Sequence, residues 1–246
     1  MDRRNPGDAA EAGDRSGVFT YSLQEDWGMS MEAGHTWNPH AVVNLLSRER
    51  METYLQATGG DLEQAFALYR KNMQIAGALQ MATAMVEVVV RNAIDRALVK
   101  WNKDKNPHTD WFDLPLLDPH AKEVIHTARG RVRHGGHKPK HGEVIAEISF
   151  GFWRFITSKR YLTALWIPAL QHAFPYGDKD VWTRQKQVSR LLGNMTFIRN
   201  RAAHLEPVFK RDVKRDIADA RLLLSWVSPD AAAWFDDTLD LEKLEI

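Results

Sequence analysis

Cysteine is missing from all 246 residues. That excludes disulfides, thiolate nucleophiles and Cys-ligated zinc, and it suits a reducing compartment. Excess charge is missing too. A formal net charge of +1 gives no polyelectrolyte signal, so any nucleic-acid binding must come from a local patch. No uncharged apolar run of about 18 residues occurs, so no membrane span is expected. The opening "MDRRNPGDAAEAGDRSG" has no apolar region behind its charges and does not read as a signal peptide. A cytoplasmic protein without a membrane partner is the expectation. Sustained alternation with hairpin turns is likewise absent, which argues against a sheet.

Helical periodicity is what remains. In "TWNPHAVVNLLSRERMETYLQATGGD", Asn38 is placed to cap and Pro39 to open a helix running to about Gln56, stopped by Gly59-Gly60. Asp61, with Gln64 three residues on, restarts a helix. Leu68, Ile75, Leu79, Ala82, Val86, Val90, Ala93 and Ala97 then keep one apolar face to about Trp101. The β-branched "MVEVVV" inside that stretch has strand propensity, but the unbroken period on both sides favours helix. Asp118 and Pro119 give the next start signal. Ile148, Phe152 and Phe155 fall on one face of a further helix, and "YLTALWIPALQHAF" reads as another short one. "DVWTRQKQVSRLLGNMTFIRNRAAH" forms a long helix ending near Pro207, and "DVKRDIADARLLLSWV" and "PDAAAWFDDTLDLEKL" finish the chain. The fold class is therefore all-α, a helical bundle. Residues 1–36 read as a disordered tail, with short contacts at Val18–Tyr21 and Trp27. Residues 37–246 read as one helical domain.

The segment "GNMTFIRNRAAHLEP", residues 193–207, carries the chemistry. Asn200 and His204 lie four apart and share a helix face. Arg199 sits about 100° round from Asn200, within reach of the same edge by its long side chain. Histidine is the side-chain type that exchanges protons near neutrality. Arginine offers a permanent fork of donors that fits a phosphate. Such a trio can cleave RNA without a metal: the imidazole helps deprotonate the 2′-hydroxyl, and the guanidinium stabilises the phosphorane-like transition state. Competing structural uses are plain. A histidine at a helix C-terminus complements the dipole, and an exposed arginine pairs with a surface carboxylate.

"RNRAAH" resembles the R-x4-6-H signature of HEPN domains, in which a polar residue, often Asn, follows the Arg. The wider chain is similar to the Abi-like (AbiD/AbiF-type abortive infection) branch of that superfamily. "YLQATGGDLEQAFALYRKN", "VEVVVRNAIDRAL", "ISFGFWRFI" and "FIRNRAAHLEPVF" carry the likeness, from residue 45 to about 226. It implies a HEPN-like helical bundle with additional helices, paired as a homodimer so that two motifs face one cleft. It also implies a metal-independent endoribonuclease, with no cofactor, leaving a 2′,3′-cyclic phosphate and a 5′-hydroxyl. The biological role would be that of a toxin or phage-defence effector in a prokaryote, with RNA as substrate and a protein or RNA antitoxin as a further class of partner. Arg199, Asn200 and His204 match the motif residue by residue and are the expected catalytic residues. A non-catalytic RNA-binding or regulatory protein on the same fold is the alternative.

Four further features are open at this level. Glu87, Arg91 and Asp95 stand i, i+4, i+8 and form either a solvated stripe of weak ion pairs or a supporting shell in which Glu87 or Arg91 orients Arg199 or His204. Arg129, Arg131, Arg133, Lys138 and Lys140 make a basic segment suited to tracking phosphates, or simply a solvated loop. His134, His137 and His141 lie around its glycines and proline, where flexible spacing without a Cys or carboxylate partner makes a poor metal site. Phe150, Phe152, Trp153 and Phe155 read as core or dimer interface before a base-stacking platform.

Overall fold

The computed structural model describes residues 36–133 and 139–239, and among them it contains helices and turns with no strand. The tail contacts expected at Val18–Tyr21 and Trp27, and Lys138, His134 and His137, lie outside the described residues.

Helices α1 (Pro39–Leu46) and α2 (Arg48–Ala57) open the fold. Asn38 caps α1 by accepting from the His40 and Ala41 N–H groups. The single helix expected from Pro39 to Gln56 is instead two. Ser47 takes φ +76°, and its hydroxyl accepts from the Arg50 N–H to start α2 afresh. A serine can do this because its short side chain both caps and tolerates a left-handed backbone better than a bulky one. Gly59 and Gly60, at φ +66° and +89°, then turn the chain into α3 (Leu62–Lys105). Asp61 caps α3 through the Gln64 N–H at 3.0 Å, and the Gln64 amide returns a 2.7 Å bond to the Asp61 carboxylate.

α3 is the spine. Its 44 residues span about 66 Å at 1.5 Å per residue. The expected apolar face is the one buried: Ile75, Leu79, Ala82, Val86, Val90 and Ala93 are all in the core. One stretch of α3 has mean hydropathy 1.5, long and apolar enough by length and composition to cross a membrane, yet half of it is buried inside the bundle. Its covering partners are α7 (Val181–Ala203) and α8 (Val213–Val227). α9 (Pro229–Thr238) folds back on α8.

α4 (Pro119–Arg133), α5 (His141–Glu147), α6 (Phe150–Ile156) and the turn at Trp111–Asp113 share the main hydrophobic core with α3. Asp118 and Pro119 start α4 as expected, with the Asp118 carboxylate accepting from the Ala121 N–H at 2.9 Å. Phe150, Phe152 and Trp153 are core residues, so the aromatic run is packing and not a platform, while Phe155 is only partly covered. The helix expected through "YLTALWIPALQHAF" is a chain of short pieces: a 3₁₀ turn at Lys159–Tyr161, a π turn at Leu162–Trp166 and a 3₁₀ turn at Leu170–Ala173. Pro168, lacking an N–H, sits in the gap where a continuous helix would need a donor. A smaller core of Met51, Tyr54, Ala65 and Tyr69 holds α2 on the start of α3, with Tyr54 packed edge-on to Tyr69 at 5.0 Å.

Candidate functional site

α7 ends in a six-residue wrap. The Leu205 N–H donates to the Ala202 carbonyl at 3.1 Å and the Glu206 N–H to the Arg201 carbonyl at 2.9 Å. This is the Schellman arrangement, which needs a left-handed residue just past the cap, usually glycine. Here Leu205 takes that role at φ +50°. A branched side chain in this region is strained, and its apolar packing against the core offsets the cost. Pro207 follows and prevents any continuation.

Four side chains hold this terminus in place. Arg50 from α2 donates to the His204 and Leu205 carbonyls at 3.3 and 3.0 Å. A cation there satisfies orphan acceptors and complements the negative end of the helix dipole. Gln80 from α3 donates to the Ala202 carbonyl at 3.0 Å. Asn72, fully buried on α3, donates to the Glu206 carbonyl at 3.2 Å and accepts from the Val208 and Phe209 N–H groups at 2.7 and 3.1 Å. Arg201 pairs with Glu206 at 3.0 Å and lies over the Phe197 ring.

On that frame Arg199, Asn200 and His204 are all exposed. Arg199 donates to the Asn200 side-chain oxygen at 3.2 Å, and the His204 N–H closes on the Asn200 carbonyl at 3.1 Å. α3 and α7 run in opposite senses, which brings Glu87 to this end. Burial pushes the Glu87 carboxyl above the usual range, against the pull of Arg199 and then Arg91. Arg91 Nε is buried and has no hydrogen-bond partner among the described residues. Of the α3 charges, Glu87 is therefore the one within electrostatic reach of Arg199, and Arg91 acts on Glu87 from the next turn of α3. Asp95 has other partners: it accepts from the Trp111 indole N–H at 2.8 Å and contacts His141 Nε2 at 2.8 Å.

The basic segment is placed elsewhere, on an α4 that packs against α5, α6 and the Trp111–Asp113 turn. Arg129 is engaged bidentately by Asp113 at 2.8 and 3.0 Å and lies over the Phe112 ring. Among the described residues Arg131 has only a loose 4.0 Å approach to Glu147. Arg133 ends α4, exposed, and Lys140 precedes α5, also exposed. His141 is not a loop residue. It opens α5 with Nδ1 2.7 Å from Asp110 and Nε2 2.8 Å from Asp95. Hydrogen bonds to Asp110 and then Asp95 raise its pKa to about 10, against the opposing effect of burial. It is an imidazolium clamped by two carboxylates and stacked on Phe112 at 4.6 Å.

Beside the motif, α3 leaves an apolar strip uncovered. Met73, Met81 and Val88 are exposed large side chains, with Gly77 and Ala84 exposed between them. Spacings of four, four, three and four keep the strip within an arc of about 80°. Sequence reasoning missed the holders Arg50, Asn72 and Gln80, whose partners lie more than a hundred residues away, and no local signal marks them. The His141 clamp is half legible in the sequence, where Asp95 and His141 each stand out but nothing local pairs them. No family model, curated protein or solved structure matches this chain.

Proposed function

We propose that the chain is a metal-independent endoribonuclease, a cytoplasmic toxin or phage-defence effector of the Abi-like HEPN type, cutting RNA through Arg199, Asn200 and His204. The observation that carries this reading is the exposure of all three side chains on one rigidly held helix end, with the half-buried Glu87 carboxyl behind Arg199. A structural arginine and histidine would be expected to pair off with neighbouring carboxylates. Neither Arg199 nor His204 has an ion pair within 4.0 Å among the described residues.

In the proposed step the 2′-hydroxyl oxygen attacks the adjacent phosphorus and the bond to the 5′-oxygen breaks. The 2′ proton passes to an imidazole, and the departing 5′-oxygen takes a proton from an acid group. No oxidant or cofactor enters the balance. Arg199 meets the charge on the phosphoryl oxygens, Asn200 fixes the guanidinium, and Glu87 positions it from α3. One protomer supplies one arginine and one histidine. A two-fold pair supplies separate base, acid and clamp, and the uncovered α3 strip beside the motif is the face we assign to the second copy, as a homodimer.

The test is cleavage of RNA by the purified chain with EDTA present. Activity should persist, follow a pH curve with an inflection near neutrality, and vanish in Arg199→Ala and His204→Ala. Mixing the two inactive variants should restore part of it. A requirement for a divalent ion would overturn the mechanism. RNA binding with no cleavage by the wild type would favour the non-catalytic alternative.

A further inference from the structure

A concave surface opens where Ser189 of α7 meets α4 and α6. It is a groove of about 410 Å³ whose walls include His120 from α4, Ser149, Arg154 and Phe155 from and beside α6, and Ser158 and Ser189. None of its lining residues is a carboxylate. Arg154 is exposed and makes no ion pair among the described residues. Its Nε instead lies near Gly193, 3.5 Å from where a β-carbon would stand on that residue. The Ser149 and Ser158 hydroxyls occupy cap positions without making the side-chain cap bond, so both are available to a ligand. Phe155 forms an apolar wall, edge-on to the His120 ring at 5.0 Å. A lone guanidinium, three hydroxyls and an imidazole beside an aromatic ring suit a phosphate carrying a sugar and a base.

Helix geometry decides whose phosphate it is. Ser189, Gly193, Thr196 and Asn200 recur at i, i+4, i+7 and i+11, and so lie within about 60° of one another on α7. Ser189 and Asn200 are about 16 Å apart along the axis. A stacked strand advancing about 3.4 Å per nucleotide covers that in roughly five nucleotides. The groove is therefore in line with the motif and not behind it.

We propose that this groove is a phosphate-binding subsite for the RNA strand, with Arg154 holding the backbone a few nucleotides from the bond at Arg199 and His204. The proposal rests on the RNA reading given above and extends it. The basic residues on α4 are not required for it.

The experiment uses the full chain and a short RNA with methylated 2′-oxygens, which binds but cannot be cut. Affinity is measured by fluorescence anisotropy across a salt series for the wild type, Arg154→Ala and Ser158→Asp. The second variant guards against misfolding, because aspartate is as good a cap residue as serine while its charge repels a phosphate. Both variants should melt like the wild type. Arg154→Ala should weaken binding about five- to tenfold and flatten the slope of log affinity against log salt by about 0.7. Ser158→Asp should weaken binding in the same direction. Wild-type affinity and slope in both variants would overturn the subsite, as would a wild-type chain that binds no RNA. Uridine monophosphate is titrated in parallel. Tight binding of it that is lost in Arg154→Ala, with RNA affinity untouched, would make the groove a free-nucleotide pocket and overturn the strand assignment. The nuclease reading is scored separately on unmodified RNA. Cleavage with unaltered groove variants sinks the subsite alone, and weakened binding without any cleavage sinks the nuclease alone.

Discussion

Asn72→Ala is the sharpest test of how the helix end is held. Asn72 is fully buried in α3 and makes three hydrogen bonds to the chain just past His204, at 3.2, 2.7 and 3.1 Å. Each intramolecular hydrogen bond contributes about 1 kcal/mol net, and a buried partner left unsatisfied costs more. Val208 is itself fully buried, so water cannot freely replace the lost acceptor. The expected loss is about 3–4 kcal/mol. For a domain of this size that corresponds to a fall in Tm of roughly 6–16 °C. Urea denaturation gives the free energy, and hydrogen exchange at the Val208 and Phe209 amides gives its location. Both amides should exchange orders of magnitude faster, while amides in the middle of α8 should change only as far as global stability does. A loss below about 1 kcal/mol, or unchanged protection at those two amides, would refute the assignment of Asn72 as the clamp on this segment.

Arg211→Ala should cost about 2–4 kcal/mol in the same assay, because it leaves the buried Asp216 carboxylate, which Arg211 meets at 2.7 and 2.8 Å, with only the Asn194 amide at 3.2 Å as a side-chain donor among the described residues. His141 tests linkage. Its pKa is raised in the fold from 6.5 to about 10, so its stabilisation is complete below pH 6.5, declines above it and is gone above about pH 10. After allowance for solvent screening at this partly exposed ring the effect is about 1–2 kcal/mol. His141→Gln should remove that part of the pH dependence, and identical wild-type and variant profiles across that window would contradict it. Glu87→Gln should lower kcat for RNA cleavage about tenfold and leave KM unchanged, the pattern of a group that positions Arg199 without touching substrate; a change in KM alone would place Glu87 in binding instead.

Local chemistry made much of the architecture legible. The starts of α1, α3 and α4 are set by Asn38, Asp61 and Asp118, because a cap needs only an acceptor and its next few N–H groups. The buried face of α3 follows from apolar spacing at a period of 3.6 residues, which any single helix displays regardless of what covers it. The break at Ser47 and the π and 3₁₀ turns around Pro168 were not legible, since packing chose backbone states that propensity alone does not favour. Arg199, Asn200 and His204 are adjacent in sequence, so their proximity was determined there. What tertiary structure alone decided is who stands beside them. Glu87, Arg50, Gln80 and Asn72 reach the helix end across 112, 154, 122 and 134 residues. The same folding sent Arg129 to Asp113, put His141 between two carboxylates, and left Arg154 facing an open groove. The sequence states which charges exist. Only the antiparallel crossing of α3 and α7 and the seating of α6 settle which are neutralised by a neighbour and which remain for a ligand, because ion pairing acts over a few ångströms of space and not over chain length.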